Sequence, residues 1–339
     1  LTERIKINGA DISKEDLVRL FEYVTSFDEH LSFFEIMTLI MINYFYENHV
    51  DFSVVEVGIG GLYDTTNVVD GELCFITSVG YDHMDMLGST LRDIAFQKAG
   101  IIKKNSVCVV GNIDDESFKI VEDYARDLNA KLIKAGNRYK IVKVCNSLMI
   151  IQDTSTGDFI ELGVVGIHQP FNLSMVLEGL SAIGISVTND ILRNMLRDFK
   201  IQGRFQIVHK NFGDKHMVII LDGAHNPDAF RGFIDNLRFF GFTDKNKVLI
   251  FSIFSTKDYH TSIQILSESG LFKDVFVVPI NNPKALNPYI IADFFAKNKD
   301  LDVTVFDDLE LSIKAAINNY ELICIVGSFY LVSDAIKVI

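Results

Sequence analysis

Residues 51–103 read DFSVVEVGIGGLYDTTNVVDGELCFITSVGYDHMDMLGSTLRDIAFQKAGIIK. An apolar run, 52–57, carries one carboxylate, Glu56, and gives way to Gly58, Gly60 and Gly61. A second run, 73–79, gives way to Gly80, Tyr81, Asp82, His83, Met84 and Asp85. Two predicted buried strands therefore stop at loops rich in Gly, Asp and His. In an open α/β sheet, ligands sit beyond the carboxyl ends of the strands. A Glu at one strand end and a His at the next are placed to share one metal ion, which is the chemistry of an enzyme.

Outward from this stretch, strands and helices alternate. Helices are predicted over 16–27, 33–48, 90–99, 116–129, 171–183 and 189–199, with a strand over 107–111. Ser32 and Glu35 form an S-x-x-E capping box, so the apolar segment from Phe33 to Tyr46 reads as a core helix, too short to span a bilayer. Residues 139–162 carry β-branched runs broken by Thr-Ser-Thr-Gly-Asp, a hairpin signature, and read as a small antiparallel appendage on a first domain. Near 200–204 the pattern restarts. Strands are predicted over 205–209, 217–221, 248–252, 274–278, 303–306 and 322–326, with helices between most of them. The expected organisation is two α/β domains, 1–199 and 200–339.

Composition narrows the function classes. A chain of 339 residues has room for two domains. Its net charge of −13 argues against a general nucleic-acid or membrane-surface binder. No signal peptide is visible. Cys74, Cys108, Cys145 and Cys324 lie in or beside apolar segments without a CxxC pair. They read as reduced, buried thiols of a cytoplasmic protein. No Ser-His-Asp or Cys-His pattern stands out.

The motifs resemble the folylpolyglutamate synthase/dihydrofolate synthase branch of the Mur ligase superfamily. That family reads E-V-G-x-G-G-x-x-D-x-T-N, D-H-x-x-x-L-G and K-A-G-I-I-K, matched here at Glu56 to Asn67, Asp82 to Gly88 and Lys98 to Lys103. His168-Gln169 with Asn172, Gly203-Arg204, LDGAHNP at Leu221 to Pro227 and GSFYL at Gly327 to Leu331 follow in family order. The resemblance implies a P-loop-NTPase-like, mainly parallel first domain and a smaller Rossmann-like second one. It implies an ATP-dependent, Mg²⁺-dependent ligase that joins L-glutamate to a folate or to dihydropteroate. The acceptor carboxylate would first become an acyl phosphate. Such chemistry asks for charge neutralisation and alignment of two anions rather than a strong nucleophile.

Residue by residue, the resemblance makes Glu56 and His83 the magnesium ligands. Lys98 would be carbamylated to support a second Mg²⁺, which requires a neutral amine. Arg204 would reach the ATP phosphates, Asp222 and Asn172 the nucleotide, and His225 the phosphate and amine. Ser255, Lys257 and Asp258 would hold the incoming glutamate. Each has a plainer reading: a hydrogen-bonded carboxylate for Glu56, a loop His held by Asp82 or Asp85 for His83, a helix-end lysine for Lys98, a helix cap for Asn172. Lys98, Arg204 and His225 are the candidate catalytic residues, and Gln202-Gly203 is the expected hinge.

The pattern departs from the family twice. Leu62-Tyr63 stand where an Arg usually follows the paired glycines, which puts the acceptor in doubt more than the fold. No G-x-x-x-x-G-K-[ST] occurs in the 339 residues. The expectation is that the phosphate loop precedes Leu1 in the full protein. Its loss would instead point to a non-catalytic nucleotide- or pterin-binding descendant. A cell-wall ligase of the Mur type is the third reading, and the KAGIIK and DGAHNP forms favour the folate branch. Expected partners are small molecules only, with no nucleic acid and no membrane, and the expected state is a monomer.

Overall fold

Apolar runs become strands only where a neighbour takes up their backbone hydrogen bonds. In a computed structural model, which describes residues 1–145 and 147–339, this condition decides which predicted strands form. The chain divides into two compact units, Leu1–Lys134 and Ala135–Ile339.

In Leu1–Lys134, a small antiparallel pair, β1 (Lys6–Ile7) and β2 (Ala10–Asp11), precedes α1 (Lys14–Thr25) and α2 (Phe33–Glu47). The capping box of α2 is complete: Ser32 accepts from the Glu35 N–H, and Glu35 accepts from the Ser32 N–H. The two helices pack through Leu20, Val24, Met37 and Ile40. Then follow β3 (Leu73–Ile76), α3 (Met84–Leu87), α4 (Leu91–Ala99), β4 (Val107–Val110), α5 (Asp115–Asp127) and β5 (Lys131–Lys134). The last three strands pair in parallel, in chain order, beneath Ala99, Val121 and Ala125.

One expected strand is not formed. Residues 52–57 run without a ladder, and among the described residues the parallel sheet begins at β3. Phe52 is 71% exposed and Val54 95%. The composition of a strand does not suffice when the main chain has no partner to pair with. The run instead borders a cleft of about 1070 Å³ walled by Ile5, Phe34, Met37 and Phe45.

The unit Ala135–Ile339 opens with a three-stranded antiparallel sheet of β6 (Tyr139–Cys145), β7 (Leu148–Asp153) and β8 (Phe159–Leu162). Asp153 closes its turn by accepting from the Ser155 N–H and hydroxyl. Helices α6 (Gln169–Ala182) and α7 (Asn189–Leu196) follow. The main sheet is built from β9 (Gln206–Phe212), β10 (Lys215–Asp222), α8 (Pro227–Phe239), β11 (Lys247–Phe251), α9 (Tyr259–Glu268), β12 (Asp274–Val277), α10 (Pro288–Phe295), β13 (Asp302–Val305), α11 (Leu309–Asn319), β14 (Leu322–Val326) and α12 (Phe329–Val338). Its order is β13-β12-β11-β14-β10-β9, all parallel except the β10–β9 pair. Both faces are covered, by Phe230, Phe233, Ile263 and Phe295 on one side and by Ile313, Ala316, Leu331 and Ala335 on the other. The central strands β11 and β14 are buried throughout, which is why they read as unbroken apolar runs.

This sheet places the second unit's motifs. Asp222 ends β10 and Phe251 ends β11, and both are register partners of Val326 at the end of β14. Three neighbouring strands finish level, so the segments after them leave the sheet side by side. Among the described residues, no helix is long and apolar enough to cross a membrane. Three of the cysteines are free and buried, as expected. Cys145 is free but exposed, because it closes a strand at the sheet's rim.

Candidate active site

In the first unit, the glycine-rich loop is built by its own motif residues. Asp64 accepts from the Ile59 N–H at 2.8 Å and from the Thr66 N–H at 3.0 Å. The Leu62 N–H donates to the Gln97 carbonyl at 2.7 Å. A methyl carbon on Gly61 would stand 2.6 Å from that carbonyl oxygen, so only glycine lets the loop lie on the last turn of α4. Asn67 Nδ2 bridges the Leu62 and Gly100 carbonyls at 3.0 and 3.1 Å, and Lys103 Nζ donates to the Asn67 carbonyl at 2.6 Å.

That last turn carries Lys98, which is half-buried. Burial lowers its amine pKa, and the charge of Asp82 opposes the shift. The Asp82–His83 turn is therefore within electrostatic reach of Lys98. The His83 N–H donates to Asp82 Oδ1 at 2.9 Å, and its Nε2 lies 3.8 Å from the same oxygen. Asp82 thus ties the main chain of His83, while the ring stands beyond hydrogen-bond distance of that carboxylate. His83 has φ 49°, a left-handed conformation that turns the chain into α3. Glu56 is exposed just before the glycine-rich loop. Among the described residues, no group of three or more His, Cys, Asp or Glu side chains stands ready to hold a metal. The donor chemistry still fits a hard cation: Glu56 supplies carboxylate oxygen, and a carbamate on Lys98 would supply more.

In the second unit, the structure gathers Arg204, Asp222 and His225. The two carboxylate oxygens of Asp222 accept the Ala224 N–H at 2.8 Å and the Phe205 N–H at 3.0 Å. Phe205 is buried at φ 42°, an uncommon conformation for an aromatic residue. The Gly223 N–H donates to the Gly203 carbonyl at 2.7 Å, and the Gly203 N–H donates to Gln206 Oε1 at 3.0 Å. Gly203, in the expected hinge, is thus hydrogen-bonded through both its N–H and its carbonyl. His225 Nδ1 pairs with the Gly223 carbonyl at 2.8 Å. A carbonyl only accepts, so Nδ1 carries a proton in this contact. The Arg204 guanidinium lies over the ring of Phe329, 4.7 Å from its centroid.

Asp222 is only partly exposed, and burial pushes its pKa up to about 6 against its backbone donors and Arg204. A raised acid pKa favours the folded state at low pH. This contribution is full below the ordinary value of 3.8 and is lost as pH rises through about 6. The shift corresponds to ~3 kcal/mol. Asp222→Asn should remove that pH dependence, seen as a flatter plot of melting midpoint against pH between about 4 and 6. The same slope in both proteins would show that Asp222 does not titrate there.

The other candidates lie further along. Asn172 does not cap α6. His168 occupies the cap position, and Asn172 sits in the first turn with its amide 3.4 Å from Gln169 Oε1. The His168 pKa is lowered first by burial of its ring and then by the Arg204 charge, which places these two within reach of each other. Ser255 donates through both its N–H and its hydroxyl to the Lys284 carbonyl, at 2.9 and 3.1 Å. Asp258 caps α9 by accepting from the Thr261 N–H at 3.1 Å, and Lys257 lies in the turn before it. Phe254, just ahead of this turn, meets Tyr330 edge-on at 5.3 Å. Phe329 was missed among the candidates. Its place within GSFYL was the available signal, but an aromatic residue at a helix start reads as core.

The Mur ligase middle domain family matches residues 13–178, and the Mur ligase glutamate ligase domain family matches residues 203–329. The chain is 28% identical to a dihydrofolate synthase/folylpolyglutamate synthase of Bacillus subtilis, over 99% of this chain and 80% of that one. A solved folylpolyglutamate synthase of Thermotoga maritima superposes with a TM-score of 0.82 at 28% identity, covering 99% of this chain and 78% of that one. Escherichia coli FolC, solved in complex with DHPP and ADP, gives a TM-score of 0.82 at 25% identity, with coverage of 99% and 78%. The chain belongs to the Mur ligase superfamily, in its folylpolyglutamate synthase/dihydrofolate synthase branch.

Proposed function

We propose that this protein is an ATP-dependent carboxylate–amine ligase that adds L-glutamate to a folate or to dihydropteroate. The observation that carries the reading is the convergence of Arg204, Asp222 and His225 at the level ends of β10 and β14, with the Ser255–Asp258 turn following β11 beside them. The synthase names of the relatives and the ADP bound in the FolC structure support it. The non-catalytic alternative loses ground for the same reasons. The two family matches support a division of labour between 1–199 and 200–339.

An oxygen of the acceptor carboxylate bonds to the terminal phosphorus of ATP, and ADP leaves. The glutamate nitrogen then bonds to the acyl carbon, and phosphate departs with that oxygen. Arg204 binds phosphate oxygens through a planar fork suited to bidentate contacts. Asp222 acts through the turn it holds, fixing the loop that presents Arg204, and Asn172 adds an amide on the nucleotide side. His225 places its imidazole beside this turn, where it would take up the proton of the attacking amine. Lys257 pairs with a glutamate carboxylate and Asp258 with its ammonium, while Ser255 fixes their turn. Glu56 and His83 would hold one Mg²⁺ and carbamylated Lys98 would support a second, and the metal would supply positive charge to the phosphates. Three buried free thiols and the acidic net charge support a cytoplasmic protein, and we read it as a monomer.

The full-length protein incubated with ATP, Mg²⁺, glutamate and either acceptor should yield ADP and an acceptor larger by one glutamyl residue. Binding of ATP with no product from either acceptor would favour the non-catalytic reading.

A further inference from the structure

We propose that Phe329 is a positioning residue for the reaction, the platform that orients the Arg204 guanidinium. This rests on the reading of Arg204 as the phosphate contact and goes beyond it. The ring touches three motifs that are far apart in sequence. It lies under Arg204 at 4.7 Å from the centroid, and 6.1 Å from the centroid of His225. It also packs tightly on Gly223 and lies beside Gly203, whose nearer neighbour is Val332. A methyl carbon on Gly203 would meet the ring at 3.4 Å, and one on Gly223 would overlap it outright. These two glycines are the pair joined by the Gly223-to-Gly203 hydrogen bond, so the ring's height is fixed by main chain rather than by mobile side chains.

Phe329 is held from its own side as well. Ser328 caps α12 by accepting from the Tyr330 N–H at 3.1 Å, and the preceding Gly327 has φ 121°, a conformation open to glycine. Yet Phe329 is 38% exposed, more than a core residue would be. A long arginine on a surface samples many rotamers. A cation over an aromatic face is attracted by the ring quadrupole, and this narrows them. Phe329 thus pre-orders the guanidinium before substrate arrives.

The test is a series at one position in the full-length protein. Fluorinated phenylalanines at 329 keep the shape but drain the ring's negative face. Turnover should fall stepwise with each fluorine, reaching roughly tenfold, with KM for glutamate unchanged. Phe329→Tyr should stay near wild type and Phe329→Leu should fall roughly tenfold. On an Arg204→Ala background, Phe329→Leu should add nothing. If Arg204→Ala is crippled while fluorination changes nothing, Phe329 is only packing and the proposal is overturned with the Arg204 reading intact. If Arg204→Ala itself turns over normally, the Arg204 reading falls and the proposal with it. If the two losses multiply, the ring acts independently of Arg204, which also overturns it.

Discussion

Lys98→Ala is expected to abolish glutamate addition, by at least ~1000-fold, and to be partly restored by acetate or formate. Carbamylation bonds the amine nitrogen to the carbon of CO₂ with loss of a proton, so it needs the neutral amine. Lys98 stands half-buried at the end of α4, with its pKa lowered by burial. A lowered lysine pKa means that the neutral fraction rises sooner as pH rises, so the modification should grow with pH and with bicarbonate. The product is a carboxylate at a place where the fold otherwise presents a cation, and small carboxylates can stand in for it. Intact mass of the native protein should show the added CO₂. Wild-type turnover by Lys98→Ala would remove Lys98 from the mechanism.

His83→Ala should lower turnover at least ~100-fold, with little change in melting midpoint. The residue is only half-buried, and its ring stands 3.8 Å from Asp82, so the core loses little with it. Its left-handed φ complicates alanine, because His and Asn enter that region more readily than Ala does. His83→Asn tolerates that conformation and should show the same catalytic loss without that complication. Restoration of activity by raising Mg²⁺ would identify the loss as one of metal affinity. Full activity of His83→Asn at low Mg²⁺ would count against ligation.

Much of the fold was legible because it obeys local rules. Ser32 and Glu35 specified the start of α2 through capping, and the unbroken apolar run 322–326 specified a strand buried on both faces. Residues 52–57 misled because strand composition does not reveal whether a neighbour exists. The motif residues were legible as a set, but their division of labour was not. Asp64, Asn67 and Lys103 lie in the same motifs as Glu56 and Lys98, yet their side chains tie the loop together through backbone carbonyls and N–H groups. Asp222 and Asp258 are similar, since each holds a turn through backbone N–H groups. Phe329 was illegible for a different reason. Its contacts join 203–204, 223–225 and 329, and spacing within a linear motif says nothing about contacts across 100 residues and more.

A heavy-oxygen label in the acceptor carboxylate tests the central claim most directly. With full-length protein, ATP, Mg²⁺ and glutamate, an acyl phosphate requires one labelled oxygen to leave in inorganic phosphate for every amide bond formed. The expected result is labelled phosphate in step with glutamylated acceptor and ADP. Glutamylated acceptor with unlabelled phosphate, or ADP formed without any glutamylated acceptor, would contradict it.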